Sequence, residues 1–314
     1  MGTSIGAAAA QSPAPSPADR PLQLVRRIPK ESLIRVGENR PHIKGISYNS
    51  TRDELFFVDS NYSRVVRSLS LRDNAGDNNL RNVYSLTDHM RSLLFTVCYV
   101  RDSDAVLVCS REFGTDGMDA NWLVVLNRSG SEWREAQRLQ TDLEGRTCCA
   151  LSDSRVLVGE WYSTKLELYC LKRLRGPHIA LEYRIRAAET YSSFSATISG
   201  SRILVAMSFA DKSVRVHLLR RNQLTEIARI RMRQPNALLL WLADRLLATE
   251  WYNRTSSDAV IELEVNGTDI SRRRELIASG GYLGIKVGSW CAVEAGLAIS
   301  HHSNIHELLH YSFI

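Results

Sequence analysis

The segment Asp53-Glu54-Leu55-Phe56-Phe57-Val58-Asp59-Ser60-Asn61-Tyr62-Ser63-Arg64-Val65-Val66 is the first copy of a unit that returns about every 45 to 50 residues to the C-terminus. At the centre of each copy lies a short apolar run: Phe56-Phe57-Val58, Val106-Leu107-Val108, Val156-Leu157-Val158, Ile203-Leu204-Val205, Leu246-Leu247-Ala248 and Leu297-Ala298-Ile299. Runs this short suit a strand covered on both faces and are too brief for a helix. Five of the six are preceded by an acidic residue, at Asp53-Glu54, Asp104, Asp153, Asp244 and Glu294, and the sixth by Gly200-Ser201. These are turn formers, so each unit reads as strand, tight turn, strand.

A loop and an alternating strand follow, as in Lys165-Leu166-Glu167-Leu168-Tyr169 or Val214-Arg215-Val216-His217-Leu218. A fourth strand then alternates arginine with apolar residues, as in Tyr183-Arg184-Ile185-Arg186 and Arg229-Ile230-Arg231-Met232-Arg233. Six such units predict an all-β, six-bladed β-propeller of four-stranded antiparallel blades. The last unit runs out at Ile314 before its outermost strand. Leu22-Gln23-Leu24-Val25-Arg26-Arg27-Ile28-Pro29 has the arginine-rich look of a fourth strand and no blade of its own. The N-terminal strand, about 21–30, is therefore expected to complete the last blade and close the ring, which removes two open sheet edges. The expected organisation is a low-complexity disordered tail over 1–20 and one propeller over 21–314.

The first copy, ELFFVDSNYSRVVRSLSL at 54–71, resembles an NHL repeat: an apolar strand, Asp, a short polar loop, then Arg-Val and an alternating strand. It is similar also to the YWTD repeat of receptor ectodomains. Both repeats build six-bladed propellers, so the resemblance implies that fold together with a binding habit rather than a reaction. Elsewhere Gly159, Ala206, Thr249 and Ser300 stand where Asp59 stands in the first copy.

The loops between second and third strands carry aromatics at a repeating place: Tyr62, Tyr162, Phe209 and Tyr252, with Phe113 one position off. Two loops share a fuller motif, Glu160-Trp161-Tyr162 and Glu250-Trp251-Tyr252. These nine residues either pack between blades or form an aromatic and acidic face that grips a protein partner. The main expectation is a protein-interaction module working through that face. The alternative is an enzyme of the metal-dependent lactonase or hydrolase type, with Ca²⁺ in the central channel. Against it, the candidate inner strands Cys148-Cys149-Ala150-Leu151, Ser195-Ala196-Thr197-Ile198 and Ala237-Leu238-Leu239-Leu240 offer small or apolar groups rather than oxygen ligands. RNA binding, third, is implied by the NHL resemblance. The net charge of +6 is almost all arginine, but the arginines fall on predicted outer strands rather than among loop aromatics, as a solvated rim would have them.

His306-Glu307-Leu308-Leu309-His310 matches HExxH, which on a helix would hold zinc. The repeat makes this stretch a strand instead, where a four-residue spacing parts the histidines by roughly 13 Å. The match is read as coincidental, and no catalytic or metal residue is assigned. The six cysteines form no CxxC pair and fall mostly in strands, as small core residues of a reducing compartment would. Neither a basic start with a signal-type apolar stretch nor a run of about 18 apolar residues is found, so the expectation is a soluble cytoplasmic protein that engages no membrane. Five Asn-x-Ser/Thr sequons, at Asn49, Asn61, Asn127, Asn253 and Asn266, keep an extracellular location in view.

Overall fold

The computed structural model describes residues 22–29, 33, 43–59, 65–72, 80–86, 92–114, 118–151, 154–172, 178–235, 237–242, 244–251, 258–277, 287–293, 296–301 and 308–313. The segment 1–20, read as a disordered tail, lies outside them. The chain enters through β1 (Leu22–Ile28). The first blade is β2 (Ile43–Asn49), β3 (Glu54–Asp59), β4 (Val65–Ser70) and β5 (Leu80–Ser85). The second is β6 (Ser92–Val100), β7 (Ala105–Phe113), β8 (Asp119–Ser129) and β9 (Glu132–Thr141). The third comprises β10 (Thr147–Ala150), β11 (Arg155–Gly159), β12 (Ser163–Lys172) and the first half of β13 (His178–Ser199). The second half of β13 then becomes the inner strand of the fourth blade, with β14 (Arg202–Phe209), β15 (Ser213–Arg220) and β16 (Gln223–Arg231). The fifth is β17 (Leu239–Leu242), β18 (Arg245–Trp251), β19 (Asp258–Asn266) and β20 (Asp269–Ile277). In the sixth, β21 (Val287–Val293), β22 (Gly296–His301) and β23 (Leu308–Phe313) are completed by β1. The register runs antiparallel from Leu22 opposite Phe313 to Ile28 opposite Leu308, as the missing fourth strand required.

The apolar triplets explain the ring. Successive side chains on a strand point to opposite faces, and in a propeller each face meets a different neighbour. Phe56 and Val58 pack toward the second blade, with Leu94, Val97 and Val108, whereas Phe57 packs toward the sixth, with Cys291, Ala298 and Leu308. Among the described residues the buried apolar side chains fall into six such clusters, one at each junction between consecutive blades. Six blades with six junctions make a closed ring. Leu22 and Ile28 of β1 belong to the two clusters that flank the sixth blade, and Arg26 donates to the Leu71 carbonyl of the first blade at 2.9 Å.

The arginines lie on the rim, as expected. Arg26 and Arg27 are on β1, Arg134 and Arg138 on β9, Arg184 and Arg186 on β13, Arg229 and Arg231 on β16, and Arg272, Arg273 and Arg274 on β20, every one an outermost strand. Many are paired along the rim, for example Arg138 with Glu112 at 2.7 Å and Arg229 with Glu226 at 2.8 Å. No helix of the described residues is long and apolar enough to cross a membrane.

A candidate small-molecule site in the channel

The inner strands β2, β6, β10, the second half of β13, β17 and β21 neighbour one another in that order around the ring. They enclose a cavity of about 120 Å³, room for roughly four water molecules. Every blade contributes to its wall: Lys44 and Ile46, Thr96, Thr147 to Cys149, Ser193 to Ser195, Leu238 to Leu240, and Trp290. Arg146, just before β10, and Trp161, from the loop after β11, complete it.

Local contacts fix this wall. Gly45 sits so close to β6 that a Cβ there would lie 2.7 Å from Thr96 Oγ1 and 2.8 Å from Thr96 Cα; only glycine lets β2 bring Lys44 alongside Thr96. Trp161 Nε1 donates to Thr147 Oγ1 at 2.9 Å, laying the indole over the mouth of the channel. Arg146 stacks over the Phe95 ring at 4.9 Å and pairs with Glu144, which also pairs with Arg111. Ser195 Oγ accepts the Trp241 N–H at 3.0 Å, and Ser193 Oγ donates to the Ala237 carbonyl.

The wall is electropositive. Lys44 and Arg146 face the cavity, and no Asp or Glu lines it among the described residues. Burial first and the Arg146 charge second lower the Lys44 pKa, because both disfavour another positive charge there. A hard divalent cation, bound through six to eight oxygens with carboxylates among them, does not fit this lining. The Ca²⁺ of the lactonase-type alternative is therefore not assigned to the channel. Among the described residues no cluster of three or more His, Cys, Asp and Glu is arranged to hold a metal.

The described residues of the candidate loop face differ in exposure. Trp161 and Tyr162 are exposed, at 45 % and 65 %, and Trp161 turns to the channel. Phe209 is buried at 3 % beneath the Arg215 guanidinium, 4.1 Å from its ring, and offers nothing to a partner. Phe113 lies half-buried under Arg111 at 5.1 Å. Glu250, 2 % exposed, accepts the Arg233 N–H at 2.9 Å and pairs with Arg272 at 2.8 Å. Half-buried Glu160 accepts the Glu144 N–H at 3.1 Å. In both blades the motif glutamate braces the segment that leads into its own blade's inner strand. Trp251 ends β18, and nothing is described of its side chain; Tyr62 and Tyr252 lie outside the described residues. Of the HExxH match, His310 is on strand β23, opposite Ala298 and Arg26, while His306 and Glu307 lie outside the described residues. Among the sequons, Asn49 is fully buried in β2.

Sequence reasoning found the inner strands at 148–151, 195–198 and 237–240, Cys148 and Cys149 among them, but missed Lys44, Arg146 and Trp161 at the channel. All six cysteines are free; Cys148 and Cys149 belong to the inner strand that lines the cavity, with their side chains packed against the core clusters on either side of the third blade.

No protein-family model matches the chain, and no curated protein is similar to it in sequence. Solved structures similar in shape include the soluble aldose sugar dehydrogenase of Escherichia coli in its apo form, at 10 % identity and TM-score 0.58, covering 93 % of this chain and 99 % of that one. A glucose dehydrogenase is similar at 10 % identity and TM-score 0.61, covering 92 % and 98 %. A chain of a mitotic checkpoint complex is similar at 10 % identity and TM-score 0.55, covering 99 % of each. At this identity the likeness shows the fold. The expectation of a protein-interaction scaffold is corrected by the sugar dehydrogenases, which are enzymes, among the neighbours in shape; of the candidate residues, Phe209 and Glu250 are buried. What the three likenesses support is a β-propeller, and nothing narrower.

Proposed function

We propose that the chain is an enzyme whose site is the channel and whose substrate is a small organic anion. The observation that carries this reading is the convergence of Lys44 and Arg146 on one cavity that no described carboxylate lines. Glu144 offsets part of the Arg146 charge, while burial and the neighbouring Arg146 disfavour the Lys44 ammonium in the empty protein, a cost that a bound anion offsets. The cavity has room for one carboxylate- or phosphate-bearing head, with Trp161 as its cover and Thr96 and Thr147 as polar wall. The aldose sugar and glucose dehydrogenases of similar shape support an enzyme reading and suggest a sugar acid or a related small carboxylate. Six free cysteines support a reducing, cytoplasmic setting. The kinship of the 54–71 repeat with NHL or YWTD repeats is a proposal of lineage only.

The test is a thermal-shift and calorimetric titration with inorganic phosphate and a panel of small carboxylates and sugar acids. A true ligand at a hundredfold excess over its Kd stabilises the native state by about 2.7 kcal/mol. Lys44→Gln should weaken that binding at least tenfold while leaving the unliganded melting temperature unchanged or higher, since it removes a like-charge contact. Binding indifferent to Lys44→Gln, or the absence of any anion that binds, overturns the reading.

A further inference from the structure

We infer that Trp161 sets the specificity of the channel: its indole is a stacking platform for a pyranose ring, and the anion met by Lys44 and Arg146 is the carboxylate of a cyclic sugar acid. The inference rests on the reading of the channel as an anion-binding enzyme site and names the anion. Two tryptophans line the cavity, and they differ in what holds them. Trp290 is 9 % exposed and packs in the cluster of Leu247, Leu297 and Ile299 between the fifth and sixth blades. Trp161 is 45 % exposed and keeps its place through hydrogen bonds. A large indole fixed outside the core is a platform that burial does not explain.

Its loop is built to hold that position. Gly159 ends β11 where a Cβ would lie 2.5 Å from Tyr191 Oη and 2.6 Å from Phe194 Cε1, so glycine lets the loop leave the strand this close to β13. Glu160 then accepts the Glu144 N–H at 3.1 Å, Trp161 Nε1 donates to Thr147 Oγ1 at 2.9 Å, and Tyr162 takes a φ of 53°, a left-handed conformation uncommon for a residue with a side chain. The two bonds tie the loop to both ends of the segment 144–147, which also carries Arg146. Arg146 is held in turn by Glu144 and by the Phe95 ring. One short segment therefore positions the indole and the guanidinium together, and the strained turn beside an exposed ring is the kind of cost that accompanies a binding site.

The chemistry of the mouth selects the ligand. The bond to Thr147 uses the edge of the indole and leaves its faces for contact. An aromatic face carries partial negative charge and attracts weakly positive C–H groups. A pyranose presents such groups on the face of its ring, while its hydroxyls radiate from the edge. The cavity has room for the carboxylate head, so the ring that bears it stays at the mouth beside Trp161. Thr147 Oγ1 accepts from the indole and keeps its own O–H to donate, and Thr96 adds a second hydroxyl to the wall. A flat aromatic carboxylate would use the platform and leave these hydroxyls idle, whereas a sugar acid uses both.

The experiment is calorimetric titration of the full-length protein with glucuronate, acetate, benzoate and inorganic phosphate, with tryptophan emission followed in parallel. Glucuronate should bind at least about tenfold more tightly than acetate, and more tightly than benzoate, and should shift the emission. In Trp161→Ala the glucuronate affinity should fall about tenfold or more while the phosphate affinity changes less than about twofold. Trp161→Phe keeps a platform without the N–H; it should retain the preference for glucuronate over acetate and lose most of the emission change. Glucuronate bound no better than acetate or benzoate, or a Trp161→Ala variant that loses phosphate as strongly as glucuronate, overturns the inference. The phosphate arm separates it from the broader reading: phosphate bound without a preference for glucuronate ends the sugar-acid assignment and leaves the anion site standing, whereas binding of none of the four overturns both.

Discussion

Glu250 illustrates how a repeated motif can be legible while its purpose is not. The two Glu-Trp-Tyr copies stand out in the sequence, and their spacing places them at equivalent positions of two blades. Partner binding and internal bracing need the same residue types there, and no local pattern tells which backbone N–H or arginine lies opposite. In the folded chain Glu250 bridges Arg233 N and Arg272, and Glu160 takes Glu144 N. Glu250→Ala should therefore cost about 2 kcal/mol, because it removes a buried carboxylate that accepts the Arg233 N–H and pairs with half-buried Arg272. Glu160→Ala, which removes a hydrogen bond from a half-buried site, should cost about 1 kcal/mol. Urea unfolding of the two variants checks both values, and equal losses would contradict the difference in burial.

Among elements, β1 was readable because counting exposed a vacancy: a final unit one strand short and an orphan arginine-rich strand at the other end. Its apolar ends fill the two junctions on either side of the sixth blade. A charge at its buried end should open the seam. Ile28→Asp places a carboxylate into the cluster of Leu33, Ile43 and Leu308, and the expected loss is about 3 kcal/mol or more, with aggregation through the freed edge of β23. A melting curve with light scattering reads both effects, and an unchanged melting temperature would show that β1 is dispensable. The element that sequence reasoning divided is β13, taken as an outer strand at 183–186 and an inner one at 195–198. Its 22 residues contain neither Gly nor Pro. The missing turn signal was the clue to continuity; the repeat, which supplies a turn between units elsewhere, hid it.

At the scale of the whole molecule, the number of blades was set by the period and three inner strands were legible, but the charged lining of the channel was not. Its wall takes residues from every blade, at 44, 96, 146–149, 161, 193–195, 238–240 and 290. No residue type comes from more than two blades, and closure alone brings Lys44 and Arg146 together. Closure also sets the folding problem, since β1 must find β23 across the whole length of the chain. A circular permutant that carries residues 22–28 behind Phe313 through a two-residue Asn-Gly turn converts that pairing into a hairpin. It should refold faster than the natural order and unfold at a similar rate, because contact order falls while native contacts are kept. Stopped-flow refolding measures this, and an unchanged refolding rate would mean that the seam forms after the rate-limiting step.

The unbroken backbone of β13 bears on how such a ring distorts. Between the third and fourth blades the chain passes as one taut strand, whereas the other blades follow one another through residues outside strands. That junction acts as a splint, and the β1–β23 zipper, sewn only by hydrogen bonds and side chains, is the compliant place opposite. When the ring breathes, the gap should widen there first. Thr147 and Ser193 to Ser195 stand on the two sides of the splint, so that wall, with Arg146 just before it, keeps its spacing while the far wall, with Lys44 and Trp290 on either side of the zipper, supplies the give that admits and releases a ligand.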